Sequence, residues 1–321
     1  AEGTYYYYGF RDYLTALNFY EQASEIEPGN GDIIANIGYV RRRMGDLEAS
    51  VKIHEKALVL NPNNPDLLFQ IVETYRHLRR YSKTIEMSKK KVKLYPNELG
   101  GHIDYVKNYG LLTLDLEKMQ EKLVEVKQKF LIENHENYDR FINYNILARN
   151  YDEALAVLKN VNESIIKGQL AFLPISYIKA EIFELKGNKK LAEEFYLKSL
   201  KELMLHYHDH PNDERILSRL ALNYAVLGDS VNAVNLINAA RNLIPIEKDP
   251  LIAPNILNKE AEVYLRLNNF EKCLEILEYS SSIPAGIHAL DLLHPIFDKI
   301  REHPRFIKLF KSLPPNNKNE V

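Results

Sequence analysis

Apolar residues recur along this chain at steps of three and four, in segments of a dozen residues or more. In "DIIANIGYVRRRM" Ile34, Ile37 and Gly38 share a side; in "LEASVKIHEKALVL" Val51, His54, Ala57 and Leu58 do. That spacing puts them on one face of an α-helix, whereas alternation would have signalled strands. Polar turns separate the segments. Asn64 followed by Pro65 reads as an N-cap with proline at the first helical position, and Pro62 closes the helix before it. Strand signals are absent, so the pattern predicts an all-α chain.

The segments repeat. Second-helix runs follow a short turn at "GDLEASVKIHEKALVLNPNN" (from Gly45), "NYDEALAVLKNV" (Asn150), "GNKKLAEEFYLKSL" (Gly187), "GDSVNAVNLINAARNLIP" (Gly228) and "NNFEKCLEILEYS" (Asn268). Each comes after a first helix of similar length, such as "PDLLFQIVETYRHLR" or "ERILSRLALNYAVL". The period is about 34 residues, the mark of stacked helix pairs. Units begin near Gly31, Pro65, Leu99, Asn137, Pro174, Glu214 and Asn255. They follow a first unit of which Tyr13 to Pro28 supplies the second helix.

In phase, Leu217, Leu220, Ala221, Tyr224, Ala233, Ile237, Ala240 and Pro245 form a set of large and small residues. Leu257, Ala261, Tyr264, Cys273 and Leu277 repeat it. The pattern resembles the tetratricopeptide repeat, in which small residues let helix backbones approach and large ones fill the gaps. The resemblance implies a right-handed superhelical solenoid of antiparallel helix pairs. Residues 1–286 would hold about eight units, the first truncated and the fourth divergent. A C-terminal capping segment would span 287–313 and a disordered tail 314–321. The closing "LDLLHPIFDKIREHPRF", with Arg42-Arg43 before Gly45 and Arg79-Arg80-Tyr81 in the next unit, is similar to repeat regions of bacterial multidomain signalling proteins. There the repeats follow a cyclase, kinase or DNA-binding domain. The start "AEGTYYYYGF" reads like the inside of an element, so an upstream effector domain is expected before it.

Charge narrows the functional classes. Lys and Arg number 42 against 44 Asp and Glu, a net charge of −2. This argues against bulk nucleic-acid binding by the whole chain. Between residues 31 and 98, however, 13 Lys and Arg face 8 Asp and Glu. Such an asymmetry can steer an acidic partner to the N-terminal half. Solvated helix faces are the plainer explanation of a charge run. No apolar run approaches membrane-spanning length. The single cysteine, Cys273, fits a reducing, cytoplasmic setting.

The resemblance further implies that the first helix of each unit lines a concave groove. Counting in phase gives Tyr39, Arg42, Arg43, Phe69, Glu73, Arg76, His77, Lys107, Asn143 and Tyr177 as groove residues. Ile103, Glu181, Ser218, Asn258 and Glu262 belong to the same count. The family's clamp for a C-terminal carboxylate needs a Lys and an Asn that no unit here supplies together. The expected partner is a protein or peptide, acidic in character. The alternative is nucleic acid held by the early basic groove. Arg41 takes a place normally filled by a packed tyrosine, so it is expected to be buried with its head on a carboxylate.

Other candidates carry little. His206 and His210 share a helix face in "HYHDHP", a poor metal site, and the plainer reading is a polar helix end. Cys273 sits at a small-residue packing place and reads as an inert thiol. Lys89 to Lys91 lie on a second helix, where solvated charge is expected. No phosphate loop and no nucleophile elbow occurs, so neither an enzyme nor a cofactor is expected.

Overall fold

In a computed structural model that describes residues 1–132, 138–168 and 171–314, the chain is an all-α right-handed solenoid of antiparallel helix pairs. A short α1 (Glu2–Tyr5) runs into a π-helical turn (Tyr6–Phe10) and pairs with α2 (Tyr13–Ile26). Then come α3 (Gly31–Arg43) with α4 (Leu47–Leu60), α5 (Pro65–His77) with α6 (Tyr81–Leu94), and α7 (Leu99–Thr113) with α8 (Leu116–Lys129). Next are α9 (Tyr138–Leu147) with α10 (Tyr151–Leu158), and α11 (Ile175–Leu185) with the long α12 (Lys189–Asp209). The last pairs are α13 (Glu214–Val226) with α14 (Ser230–Leu243), and α15 (Ala253–Arg266) with α16 (Phe270–Ser282). Two 3-10 turns (Asp291–Leu293, Pro295–Ile300) and α17 (Pro304–Ser312) follow.

The expectation of no strands fails at one place. Strands β1 (Ile165–Lys167) and β2 (Phe172–Pro174) pair antiparallel, with Ile166 opposite Leu173, and feed straight into α11. Three residues are too few for alternation to show against the surrounding helical pattern.

One turn geometry joins the two helices of most pairs. The first helix ends on a residue with positive φ, and the next residue caps the second helix. Glycine fills that place at Gly45, Gly187 and Gly228 (φ 86°, 78° and 85°), the conformation it adopts without strain. Arg79, Arg149 and Asn268 take the same place at φ 56°, 63° and 58°. Each turn is closed by a bond back across six residues, as from Asp46 N–H to the Arg41 carbonyl (2.9 Å) and Arg80 N–H to that of Tyr75 (2.9 Å). The capping carboxylate of Asp46 then accepts from the Ala49 amide, and Asp229 does the same for Asn232.

Small residues bring the helices together where the repeat pattern places them. Ala57, Ala221, Ala233, Ala240, Ala261 and Cys273 are fully buried. Gly38 receives the ring of His54, which a Cβ at Gly38 would meet at 2.5 Å. The divergent α7–α8 pair swaps the sizes. Met119 and Leu123 are large and buried, and Gly110 on α7 makes room, since a Cβ there would lie 2.8 Å from the Met119 sulfur.

The solenoid also ties back on itself. In an open repeat array each unit touches only its neighbours. Here Arg11 bonds Glu214 (2.8 Å), and Tyr13 and Arg43 both bond Asp249 (2.6 and 2.9 Å). Arg79 donates to the carbonyls of Ser281 and Ile287, and Tyr81 meets His288 at 2.8 Å. Arg149 pairs with Asp298, and Leu290 is buried against Gly110. The stretch after α16 therefore packs on α15 and α16 and also reaches helices of the N-terminal half. The arginine and tyrosine of the "RRY" motif are two of its anchors.

Candidate partner-binding chamber

The first helices of the pairs face inward, and their closure makes a chamber rather than an open groove. Near its N-terminal end, α5 places Glu73 beside Arg76, and the two form an ion pair. Burial pushes the Glu73 carboxyl up, but Arg76 and Lys107 outweigh it and hold it at about 2. His77 is pushed down to about 3 by burial and by Arg76, so it is neutral. Lys107 on α7 is pushed down to about 8 by burial and by Arg76, against the pull of Glu73. Arg42 on α3 has a buried Nε with no hydrogen-bond partner.

The C-terminal end is built around Arg266. Its guanidinium reaches Glu184 at 2.7 Å, Glu262 at 2.8 Å and Glu181 at 3.6 Å. Burial and the neighbouring Glu262 raise the Glu181 carboxyl to about 7. Tyr177 on α11 is sandwiched: the Arg219 guanidinium lies 4.3 Å above its ring and Tyr196 packs edge-on at 5.4 Å. A cavity of about 340 Å³ opens between these groups and the post-α16 stretch, lined among others by Lys107, Asn143, Tyr177, Arg219, Lys259 and His294.

The structure revises several sequence expectations. Arg43 is not a free groove cation. It is 4% exposed and locked to Asp249, which is itself fully buried. Arg41, expected to be the buried arginine, does find a carboxylate, Glu21 at 2.8 Å, but the pair is solvent-exposed. The reason is closure: the side of α3 that carries Arg43 is covered by the α14–α15 link, which no local pattern announces. Arg76 is buried and paired with Glu73. Phe69 lies beneath the Lys91 and Arg140 heads (5.4 and 5.7 Å). Tyr39 is half-buried against His54, with ring centroids 4.9 Å apart. Ile103 is fully buried core. Cys273 is buried and its thiol is pushed up to about 12 by burial. Of the groove candidates, Lys107, Asn143, Tyr177, Glu181, Asn258 and Glu262 line the cavity.

Two cavity cations escaped the count, Arg219 and Lys259. Each directly follows a residue assigned to the groove, Ser218 and Asn258. A helix face is wide enough to include both neighbours, so the signal was present one step along.

Comparison with known proteins gives one family match. Residues 31–64 match the family model described as tetratricopeptide repeat. No curated protein matches the chain. Among solved structures, a tetratricopeptide repeat protein from Parabacteroides merdae is 15% identical, covering 92% of this chain and 96% of that one, at a TM-score of 0.39. A human IFIT1 dimer with PPP-AAAA is 14% identical, with 98% and 78% covered and a TM-score of 0.48. TTC0263, a thermophilic protein of the repeat type from Thermus thermophilus, is 18% identical, with 87% and 98% covered and a TM-score of 0.27. Among the described residues no helix is long and apolar enough to cross a membrane.

Proposed function

We propose that the chain is a non-catalytic interaction module that holds an acidic segment of a protein partner in its inner chamber. It would be the repeat portion of a larger bacterial signalling protein, working in the cytoplasm downstream of an effector domain. The observation that carries this reading is a mismatch of charge on the inner face. Arg42, Lys107, Arg219 and Lys259 have no ion pair among the described residues, while Glu73 is engaged by Arg76, Glu181, Glu184 and Glu262 by Arg266, and Asp291 by the His288 amide. A cation held in a half-buried cavity without a counterion favours an incoming anion over bulk water. The nucleic-acid alternative loses its support, because two of the three arginines on which it rested, Arg43 and Arg76, are already paired.

The test is binding of fluorescent Glu- and Asp-rich peptides to the full chain and to Arg42→Gln/Lys107→Gln. Each lost charge-assisted bond is worth ~1.5–3 kcal/mol, roughly tenfold to a hundredfold in affinity, so the double substitution should weaken binding by more than about a hundredfold. Equal affinity for acidic and neutral peptides, or no effect of the double substitution, refutes the reading.

A further inference from the structure

The wall of the chamber formed by α13 and α15 carries two neighbouring cations and nothing of opposite sign bonded to them. The Arg219 guanidinium lies over the Tyr177 ring, 4.3 Å from its centroid, and its Nε is buried without a hydrogen-bond partner. Lys259 donates to the Ser218 hydroxyl at 3.1 Å and has no carboxylate in reach of an ion pair among the described residues. The Asn258 amide oxygen already accepts from Ser280 at 2.6 Å, which leaves that side chain only donors to offer. Of the three carboxylates of the same cavity, Glu181 and Glu262 are bound to Arg266 and Asp291 accepts from the His288 amide.

This arrangement is unfavourable when empty. Two like charges on adjacent helices repel, and burial adds a desolvation cost to each. The charge is also preorganised, since the Arg219 guanidinium is packed on the Tyr177 ring. The polar groups of the Arg219, Lys259 and Asn258 corner offer donors. A ligand that satisfies them must be an acceptor on several sides and carry close to two negative charges, which a phosphate group does and a lone carboxylate does not.

We propose that Arg219, Lys259 and Asn258 form a binding site for a phosphate dianion. The group would arrive either as a free phosphate or phosphate monoester, or as a phosphorylated side chain of the partner segment. The second source rests on the inner-chamber reading above; the first does not.

The site has a proton signature. Lys259 is pushed down to about 7 by burial and by Arg219, against Glu262 of its own helix and Glu214 and Asp213 at the start of α13. Lys107, Glu181, Asp291 and His294 face the same cavity from α7, α11 and the post-α16 stretch. A bound dianion stabilises the ammonium form. Binding at pH 8, where the free amine is mostly neutral and phosphate mostly dianionic, therefore takes up about one proton.

The experiment is calorimetric titration of the full chain with inorganic phosphate at pH 8, in buffers of different ionisation enthalpy. Succinate is the carboxylate control. The expected result is saturable phosphate binding with proton uptake, at least tenfold weaker for succinate and for Lys259→Met and Arg219→Gln, and unchanged for Arg41→Gln. Loss of uptake in Lys259→Met assigns the proton. If either variant unfolds, the uptake measured on the unaltered chain still decides. Absence of saturable phosphate heat, absence of uptake, or equal binding of succinate overturns the proposal. A phosphoserine peptide and its serine counterpart separate the sources. A gain over free phosphate assigns the site to the partner; no gain assigns it to a small phosphate ester. Acidic peptides that bind while phosphate does not would leave the interaction reading standing and remove this one.

Discussion

Asp249 is the point at which closure of the solenoid can be tested. It is fully buried and accepts from Tyr13 Oη (2.6 Å), Arg43 Nη1 (2.9 Å) and the backbone amides of Leu251 and Ile252 (3.2 and 3.0 Å). At the ion-pair distance the attraction is about 6 kcal/mol for an effective dielectric near 20. Desolvation of the two ions, several kcal/mol each, cancels most of it. The pair is thus worth little net, yet breaking it from one side is expensive, because Arg43 is left charged in the interior. Asp249→Asn keeps the volume and, with its one amide oxygen, the backbone caps; it removes the charge and replaces the oxygen that accepts from Tyr13 and Arg43 by an amide NH2. It should cost about 3–5 kcal/mol. Arg43→Met combined with Asp249→Asn should recover most of that loss, since methionine fills the stem and leaves no stranded charge. Arg41→Met, which breaks the exposed pair with Glu21, serves as the comparison and should cost less than ~1 kcal/mol. Urea unfolding followed by circular dichroism measures all four proteins. Hydrogen exchange adds the spatial test: in Asp249→Asn it should rise at α2 and α3 as well as at the α14–α15 link. A cost below 1 kcal/mol, or exchange that rises only around residue 249, refutes the account of closure.

Two further outcomes follow from buried groups. His54, His77 and His294 are held neutral by burial, at about 3, 3 and 4. Below pH 6.5 the unfolded chain binds protons that the folded chain refuses, so stability falls as pH falls. Glu181, raised to about 7, works the other way between pH 4.5 and 7, because there the folded chain holds the extra proton. With His288, which burial and Arg79 also hold well below the ordinary histidine range, the balance near pH 5.5 is about three protons, or ~4 kcal/mol per pH unit. Urea midpoints at pH 7, 6 and 5 measure the slope, and His77→Gln should remove about one proton of it; a flat or inverted slope contradicts the burial of these rings. Gly38→Ala should lose about 1–3 kcal/mol by overpacking against His54, whereas Gly29→Ala, with open space around it, should stay within ~0.5 kcal/mol. Equal thermal shifts for the two alanines would show that Gly38 is not a packing glycine.

Features that depend on a residue's own helix were legible in the sequence. The period of Ile34, Ile37 and Gly38 placed α3, and the pairing of Gly45 with Asp46 placed the turn, because periodicity and capping are local. Features that depend on distant segments were not legible. The step of the apolar face distinguishes the core side of α3 from its outer side. It does not reveal that Asp249, in the polar link "IEKDPL", comes round to cover Arg43. For the same reason Arg41 and Arg43 exchanged their expected roles. Tyr177 was read as an anchor on the open groove because its position faces inward. It does face inward, but Arg219 from two helices further on lies on top of it.

Closure also changes what an inward-facing charge costs. On an open solenoid the concave face is wet, and a cation there is screened and inexpensive. Once the post-α16 stretch lies across α6, α7 and the α9–α10 turn, the same face borders a cavity of about 340 Å³, and the effective dielectric around each charge drops. Under that condition a random distribution of charge would pair off. Here it does not: three carboxylates converge on Arg266, while Arg219 on α13 and Lys259, on the same helix as Glu262, have none. Concentrating three carboxylates on one arginine leaves that cluster with an excess of negative charge, while the cations of the adjoining wall have no direct ion pair. The fold itself would be served as well by sharing those carboxylates out. The uneven distribution is therefore the feature that separates a binding wall from a solvated one, and it exists only because the chain closes.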